Sequence, residues 1–484
     1  MKILLNTFVI TLLLFCSLSV FGQGDWEEND GEIEDVEIEI VKDRAITLPR
    51  INRNFDKITP RNLTDTEPQV DYFFSNLQLP IPALNLRVRP LKMKQESLNK
   101  LYGNYVRAGF GNFVTPYFEG YFTSKRNRDY LYGAHIDFLN SQRGPIDGEN
   151  SGSGRLNLSA FGKSFGEKVT TSADFGIRRS NYNFYGVEIP VNADVEIMEQ
   201  IFNNFYLKSS IENTDKSSRF EYLAGIQIDY LSDDYSAEET EFQLDFRGNY
   251  EVGEYGSINL LTELDMINQQ DELLDIDSRN ILRVVPSFTF EYEGVLIDAG
   301  INLVYENDTL GGAEDIHFYP MVKACYLLST GLEVHAGIKG DVDKLTLREL
   351  VNENPFMAQN TRVFNGYNTF EFFGGISGTL TSKIGFGAGL SSANYNNLPL
   401  YLNDPASSGQ FIVAYDQGDV GVFNLNARLS YNNDEKLRIS LTGDYWGYDT
   451  DEQEEAWHRP NYKLGAVDVY SLFDKLSVEL EAHT

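Results

Sequence analysis

Acid–base chemistry near neutral pH falls first to histidine, and this chain has five: His135, His317, His335, His458 and His483. None stands in an HExxH arrangement or at another ligand spacing. No GxSxG elbow is present, and Ser, His and acid do not cluster readably. The residues therefore name no catalytic group, no metal site and no cofactor, and the chain reads as a non-enzyme. Carboxylates are the more suggestive set. Asp229, Asp245, Glu263, Asp265 and Glu333 all fall on the polar positions of alternating runs, as do Asp137 and Asp298. Arg107, Arg247, Arg283, Lys339 and Arg428 share that face. Unpaired, such carboxylates would draw cations or hold a basic ligand; paired, they are the polar filling of a wide interior. The site candidates are accordingly Asp229, Asp245, Arg247, Glu263, Asp265, Glu333 and His335.

The elements that carry them alternate with a period of two. In Glu241–Tyr250, Phe242, Leu244, Phe246 and Tyr250 point one way and Glu241, Gln243, Asp245, Arg247 and Asn249 the other, which is a β-strand pattern. Strands of roughly ten residues, repeated without an intervening transmembrane helix, describe an outer-membrane barrel. Roughly nineteen such runs lie between residues 103 and 484. Short gaps at 125–129, 165–167, 213–217, 252–255, 293–294, 328–331, 381–383, 432–435 and 473–474 alternate with long ones. The long ones lie near 141–152, 185–199, 232–239, 269–278, 307–315, 344–366, 394–420 and 448–459. Short turns face the periplasm and long loops the exterior in bacterial barrels. A soluble β-sandwich has no reason to sort its loops so. An extended piece at 410–415 is placed in a long loop. An odd count, and a last run without a terminal aromatic, predict a barrel truncated at its C-terminus, with 20–22 strands when complete; a miscounted hairpin near 394–420 is the alternative.

Residues 1–22 read as a signal peptide. Lys2 supplies the positive start, an apolar stretch runs to Phe21, and small residues precede Gln23. One cysteine, Cys325, then remains, so no internal disulfide is open to the mature chain. Residues 23–100 are acidic and interrupted by prolines, an extended periplasmic arm; residues 101–484 are the barrel. Val36, Ile38 and Ile40 alternate with glutamates and could add as a strand to a partner's sheet edge. The balance of 72 Asp and Glu against 40 Lys and Arg excludes nucleic acid as a partner. A mean hydropathy of −0.32 is ordinary for a barrel, which averages its two faces. The 28 tyrosines and 32 phenylalanines suit interfacial girdles; Trp446, Tyr448 and Trp457 are expected in the outer one. Acidic loop clusters, at 233–239, 271–277 and 449–455, read as solvated charge or as cation bridges to anionic headgroups.

Several runs resemble a known family. Ile40-Val41-Lys42-Asp43 before a proline-rich stretch, the run from Leu98 to Pro116, Tyr132-Gly133-Ala134-His135 and Glu353-Asn354-Pro355-Phe356 are similar to segments of plug-less, TonB-dependent-receptor-like outer-membrane barrels of Bacteroidota-type bacteria. The resemblance covers most of the mature chain. It implies a bacterial outer-membrane location, contact with membrane lipid and lipopolysaccharide, about 22 strands in the whole barrel, and no catalytic residue. Energised receptors of this type carry a folded N-terminal plug; residues 23–100 are too few and too proline-broken for one. The fold expected is thus all-β, an antiparallel transmembrane β-barrel of about 19 strands in this chain with an extended N-terminal segment. The function expected is a transport-type receptor or channel for a small solute, without a plug. The alternative is a structural or assembly component that recruits a periplasmic partner through the arm.

Overall fold

The computed structural model describes residues 71–73, 102–125, 127–186, 198–215, 217–308, 316–406, 409–433, 436–472 and 476–484. Val36, Ile38, Ile40, the signal peptide and nearly all of the arm lie outside the described residues. The chain divides into a barrel unit and a separate unit of residues 23–100; of the latter, Asp71–Phe73 is exposed and without regular structure.

The barrel unit opens with β1 (Asn104–Gly111), β2 (Thr115–Thr123), β3 (Tyr130–Ser141), β4 (Ser153–Phe165), β5 (Val169–Asn183) and β6 (Glu199–Asn213). It continues with β7 (Phe220–Asp233), β8 (Glu238–Glu251), β9 (Ser257–Asp271), the two-residue β10 (Leu274–Asp275), β11 (Arg279–Tyr292) and β12 (Val295–Glu306). Next come β13 (Ile316–Ser329), β14 (Leu332–Asp343), the helix α1 (Leu347–Glu353), β15 (Gly366–Thr381) and β16 (Ile384–Asn396). Two short strands, β17 (Leu398–Asn403) and β18 (Phe411–Asp416), precede β19 (Val420–Asn433), β20 (Leu437–Asp449), β21 (Tyr462–Leu472) and β22 (Leu476–His483).

Each long strand pairs antiparallel with its neighbours in chain order, β19 following β16 directly. β17 and β18 pair only with each other, as a hairpin outside the main sheet. The main sheet therefore contains the nineteen long strands expected, and the hairpin accounts for the extended piece near 410–415. β1 and β22 are its edges, with no pairing between them among the described residues. Among those residues no helix is long and apolar enough to cross a membrane.

Alternation sorts the two faces. Phe205, Leu207, Ile226, Ile228, Phe372 and Leu390 stand exposed on one, as a lipid-facing belt requires. Polar side chains on the other meet across non-adjacent strands: Arg283 on β11 reaches Asp341 on β14 at 2.7 Å. Only a strongly curved sheet brings those strands together, so the polar face is the concave one.

Turn chemistry fixes the register. Between β11 and β12 the turn is two residues, Glu293 at φ 51° and Gly294 at φ 80°, the positive pair a type I′ hairpin needs. Gly256, which ends the β8–β9 turn, has φ 126°, and a Cβ there would lie 2.0 Å from the Thr289 carbonyl oxygen. Gly256→Ala is expected to cost about 2 kcal/mol or more through strain, lowering the urea midpoint of the detergent-refolded barrel. Gly162→Ala, whose Cβ meets nothing within 4 Å, is the matched control and should leave the midpoint near wild type.

Candidate functional site: a lid folded onto the inner wall

The loop between β14 and β15, residues 344–365, lies on the polar face rather than outside the barrel. Its helix begins with a capping box read directly from Thr346-Leu347-Arg348-Glu349. The Glu349 N–H donates to Thr346 Oγ1 at 3.1 Å and the Thr346 N–H to Glu349 Oε2 at 3.0 Å. The Leu347 and Arg348 N–H groups donate to the buried carboxylate of Glu239 on β8, at 2.7 and 3.0 Å. Leu350 N–H closes on Thr346 O at 3.1 Å. All four amides at the start of α1 are thereby satisfied, and the negative charge sits where the helix dipole favours it. Seven residues are too few to hold a helix alone; the wall supplies what the segment lacks.

Two cations of the lid enter the acidic wall. Lys344 pairs with Glu241 on β8 and with Asp265 on β9, the latter at 3.4 Å. Arg348 pairs with Glu241 and approaches Asp229 on β7 at 3.8 Å. Burial alone would lower the Lys344 pKa, but Asp265 and Glu241 outweigh it and hold the ammonium well above the ordinary lysine value. Arg348 is raised in the same way by Glu241 and Asp229 against its burial. Deeper on the wall, Arg283 pairs with Glu263 at 3.0 Å and Asp341 at 2.7 Å, and donates to the Val342 carbonyl. Arg279 donates to Asn365 Oδ1 and the Leu345 carbonyl, at 3.0 and 2.8 Å. Gln269 donates to Thr361 O, and Asp271 accepts from Asn360 N, both at 2.8 Å.

Apolar packing completes the lid. Leu347, Leu350 and Val351 lie on one face of α1 at helical spacing and pack with Phe202, Leu231, Met357, Val363 and Tyr401. The β17–β18 hairpin lies against this cluster. The Ala358 N–H donates to Phe411 O at 2.7 Å, and the Tyr401 hydroxyl to Glu353 at 2.8 Å. The loop before β21 locks the hairpin in turn: buried Asp416 accepts from the amides of Asp451, Glu452 and Gln453 at 3.1–3.2 Å. Arg459 donates to Pro399 O at 2.6 Å.

The site candidates from sequence all lie on the concave face, but they divide. Asp229 and Asp265 join the lid's anchorage, Glu263 pairs with Arg283 within the wall, and all three are buried. Asp245 and Arg247 sit further along β8, half-buried. Glu333 and His335 stand at the short-turn end of β14, with the His335 ring 6.4 Å from Phe373. The buried carboxylates are paired, so the wall they form is not a cation-drawing surface. Glu239, Lys344, Arg348 and Asp416 do not stand out in the sequence as site residues; only the Thr-x-x-Glu box hints at α1. The girdle expected of Trp446 and Tyr448 is corrected: both share the concave face with Asp444 on β20, and Tyr448 packs against Leu398, Leu400 and Val420. The acidic loop clusters contribute Glu239 and Asp271 as anchors of the lid, and no group of three or more acids, His or Cys among the described residues is placed to hold a metal.

No family model matches the chain, and no curated protein matches it by sequence. Solved structures do match. The siderophore receptor PirA from Pseudomonas aeruginosa aligns over 76% of this chain and 68% of its own, at 13% identity and a TM-score of 0.56. The FrpB iron transporter from Neisseria meningitidis aligns over 80% and 69%, at 8% identity and a TM-score of 0.61. PirA from Acinetobacter baumannii aligns over 78% and 67%, at 8% identity and 0.57. The fold is that of a TonB-dependent-receptor barrel. The chain thus has the fold of these large outer-membrane barrels, and at these identities the likeness concerns the fold alone.

Removing Glu241's charge takes the shared partner from two buried cations and leaves Lys344 only Asp265 and Arg348 only Asp229; losing one member of a buried pair costs up to about 3–5 kcal/mol. Glu241→Gln should release the lid, read as faster amide hydrogen exchange across 344–358 with the strands of the barrel still protected. Adding Lys344→Met should return part of that protection; no return would show that the pair is not what holds the lid.

Proposed function

We propose that the chain is a transport-type receptor or channel for a small solute, closed by its own loops in place of a separate plug. The observation that carries this is the burial of Glu239, Glu241 and Asp265 beneath residues 344–365. A loop that only needed to be soluble would not bring a lysine and an arginine onto the inner wall. A helix and a hairpin locked together across the long-loop end form a closure that moves as one body. Breaking the ion pairs at Glu241 is the step that frees it. The siderophore receptors and iron transporter of similar fold support a receptor role. Outer-membrane lipid and lipopolysaccharide surround the belt in this reading, and the plug-less, Bacteroidota-type resemblance of the sequence agrees with closure from within. A periplasmic protein meeting the arm at Val36, Ile38 and Ile40 belongs to the same proposal.

The test is conductance in a planar bilayer. Wild type is expected to conduct weakly or in brief openings. Replacing residues 347–364 by a short Gly-Ser linker should give steady conductance at least about tenfold larger, because the lid fills the mouth. Equal conductance in both forms would overturn the lid as the closure. Silence in both, from protein shown by circular dichroism to be folded, would overturn transport and favour a structural or assembly role.

A further inference from the structure

The lid leaves one part of the inner wall open, and its charge is opposite to that of the covered part. On β1–β6 the concave face presents Arg107, Arg155, Arg178 and Lys208. In two of the ion pairs there the carboxylate lies beneath its cation, whereas in a third, Lys163 with Glu212 at 2.8 Å, the two are about equally exposed, at 35% and 39%. Glu119 is 15% exposed against 58% for Arg107, at 3.0 Å, and Asp137 is 11% exposed against 52% for Arg155, at 2.9 Å. At these two pairs water in the lumen meets mainly the guanidinium. Arg178 and Lys208 go further. Both are exposed, and both stand over the ring of Tyr206, at 4.5 and 5.8 Å. No carboxylate lies within ion-pair distance of either in the described residues. Tyr117, on the same face, carries the Arg107 guanidinium 5.0 Å from its ring centre. Cations laid on aromatic faces keep their outer donors free for an anion.

We infer that the solute path runs along the β1–β6 wall and selects small organic anions, such as carboxylates, despite the chain's formal net charge of −32. Cations lining the path set the local potential an ion meets, and charge on distant loops is screened within about 8–10 Å. The inference rests on the transport reading and names its solute class. A pore ruled by net charge would prefer cations instead.

The experiment uses the full chain in a planar bilayer under a tenfold KCl gradient, and the reversal potential is read. Wild type is expected to favour chloride over potassium. The double variant Arg178→Gln/Lys208→Gln should cut the anion-to-cation permeability ratio about fivefold. Lys323→Gln on β13 should leave the ratio in place. A cation preference in wild type, or a ratio the double variant does not move, would overturn the inference while conduction itself upheld transport. If no current flows, which counts against transport, binding decides. Saturation-transfer NMR on the folded protein would compare benzoate with benzylammonium, ligands of like shape and opposite charge. A benzoate signal that disappears in the double variant would support the anion site, and equal signals from both probes would overturn it.

Discussion

A carboxylate on the inner wall of a barrel cannot remain both dry and unpaired, and this constraint organises the long-loop end of the molecule. Taking a charge out of water costs several kcal/mol even after relaxation. Glu239, Glu241 and Asp265 are almost wholly buried on two neighbouring strands. Covering them with an apolar loop would be prohibitive. Residues 344–365 cover them with a lysine, an arginine and the amide end of a helix. Each of these can form only in that place. The helix is too short without Glu239, and the wall is too acidic without Lys344. Neither half is stable alone, which is why the loop has one position.

Such ion pairs add little net stability over a well-packed apolar alternative. What they add is location. An apolar helix face can slide over an apolar wall, whereas Arg348 must meet Glu241 and Asp229 on two strands together. The Leu347, Leu350 and Val351 stripe supplies the adhesion and the charges supply the register. The same division holds at the hairpin, where Asp416 gathers three amides of the following loop and the Leu398–Leu400–Val420 cluster packs beside them. The position of the lid then depends on a few charges.

The strands are legible in the sequence because period-two alternation and loop lengths are local properties. All nineteen long strands appear at their expected places, and Asp229, Asp245, Arg247, Glu263, Asp265, Glu333 and His335 face inward as the alternation requires. What each does there is not legible. Asp229 and Asp245 look alike in sequence, yet one is sealed under Arg348 and the other stands further along the wall. That difference is set by a loop about a hundred residues away in the chain. Trp446 and Tyr448 depart from the expected girdle for a related reason. Alternation puts them on the inner face, whereas aromatic composition near a strand end suggests a girdle. Nothing local indicates that a hairpin from 398–416 lies on Tyr448.

The inner face is therefore divided by its cover rather than by its composition. Acidic residues occur on both parts. On β7–β9 Asp229, Glu241 and Asp265 are paired with cations brought in by the lid and are buried. On β1–β6 Glu119 and Asp137 are paired with arginines of the neighbouring strands, and those arginines face the water. The sign a passing ion meets is set by which partner of each pair is on top, as in Arg107 over Glu119 and Arg155 over Asp137. A count of lumen-facing charges would miss this, because it gives both partners equal weight. Exposure weights them differently, and it is exposure that connects the placing of one loop to the solute the barrel can accept.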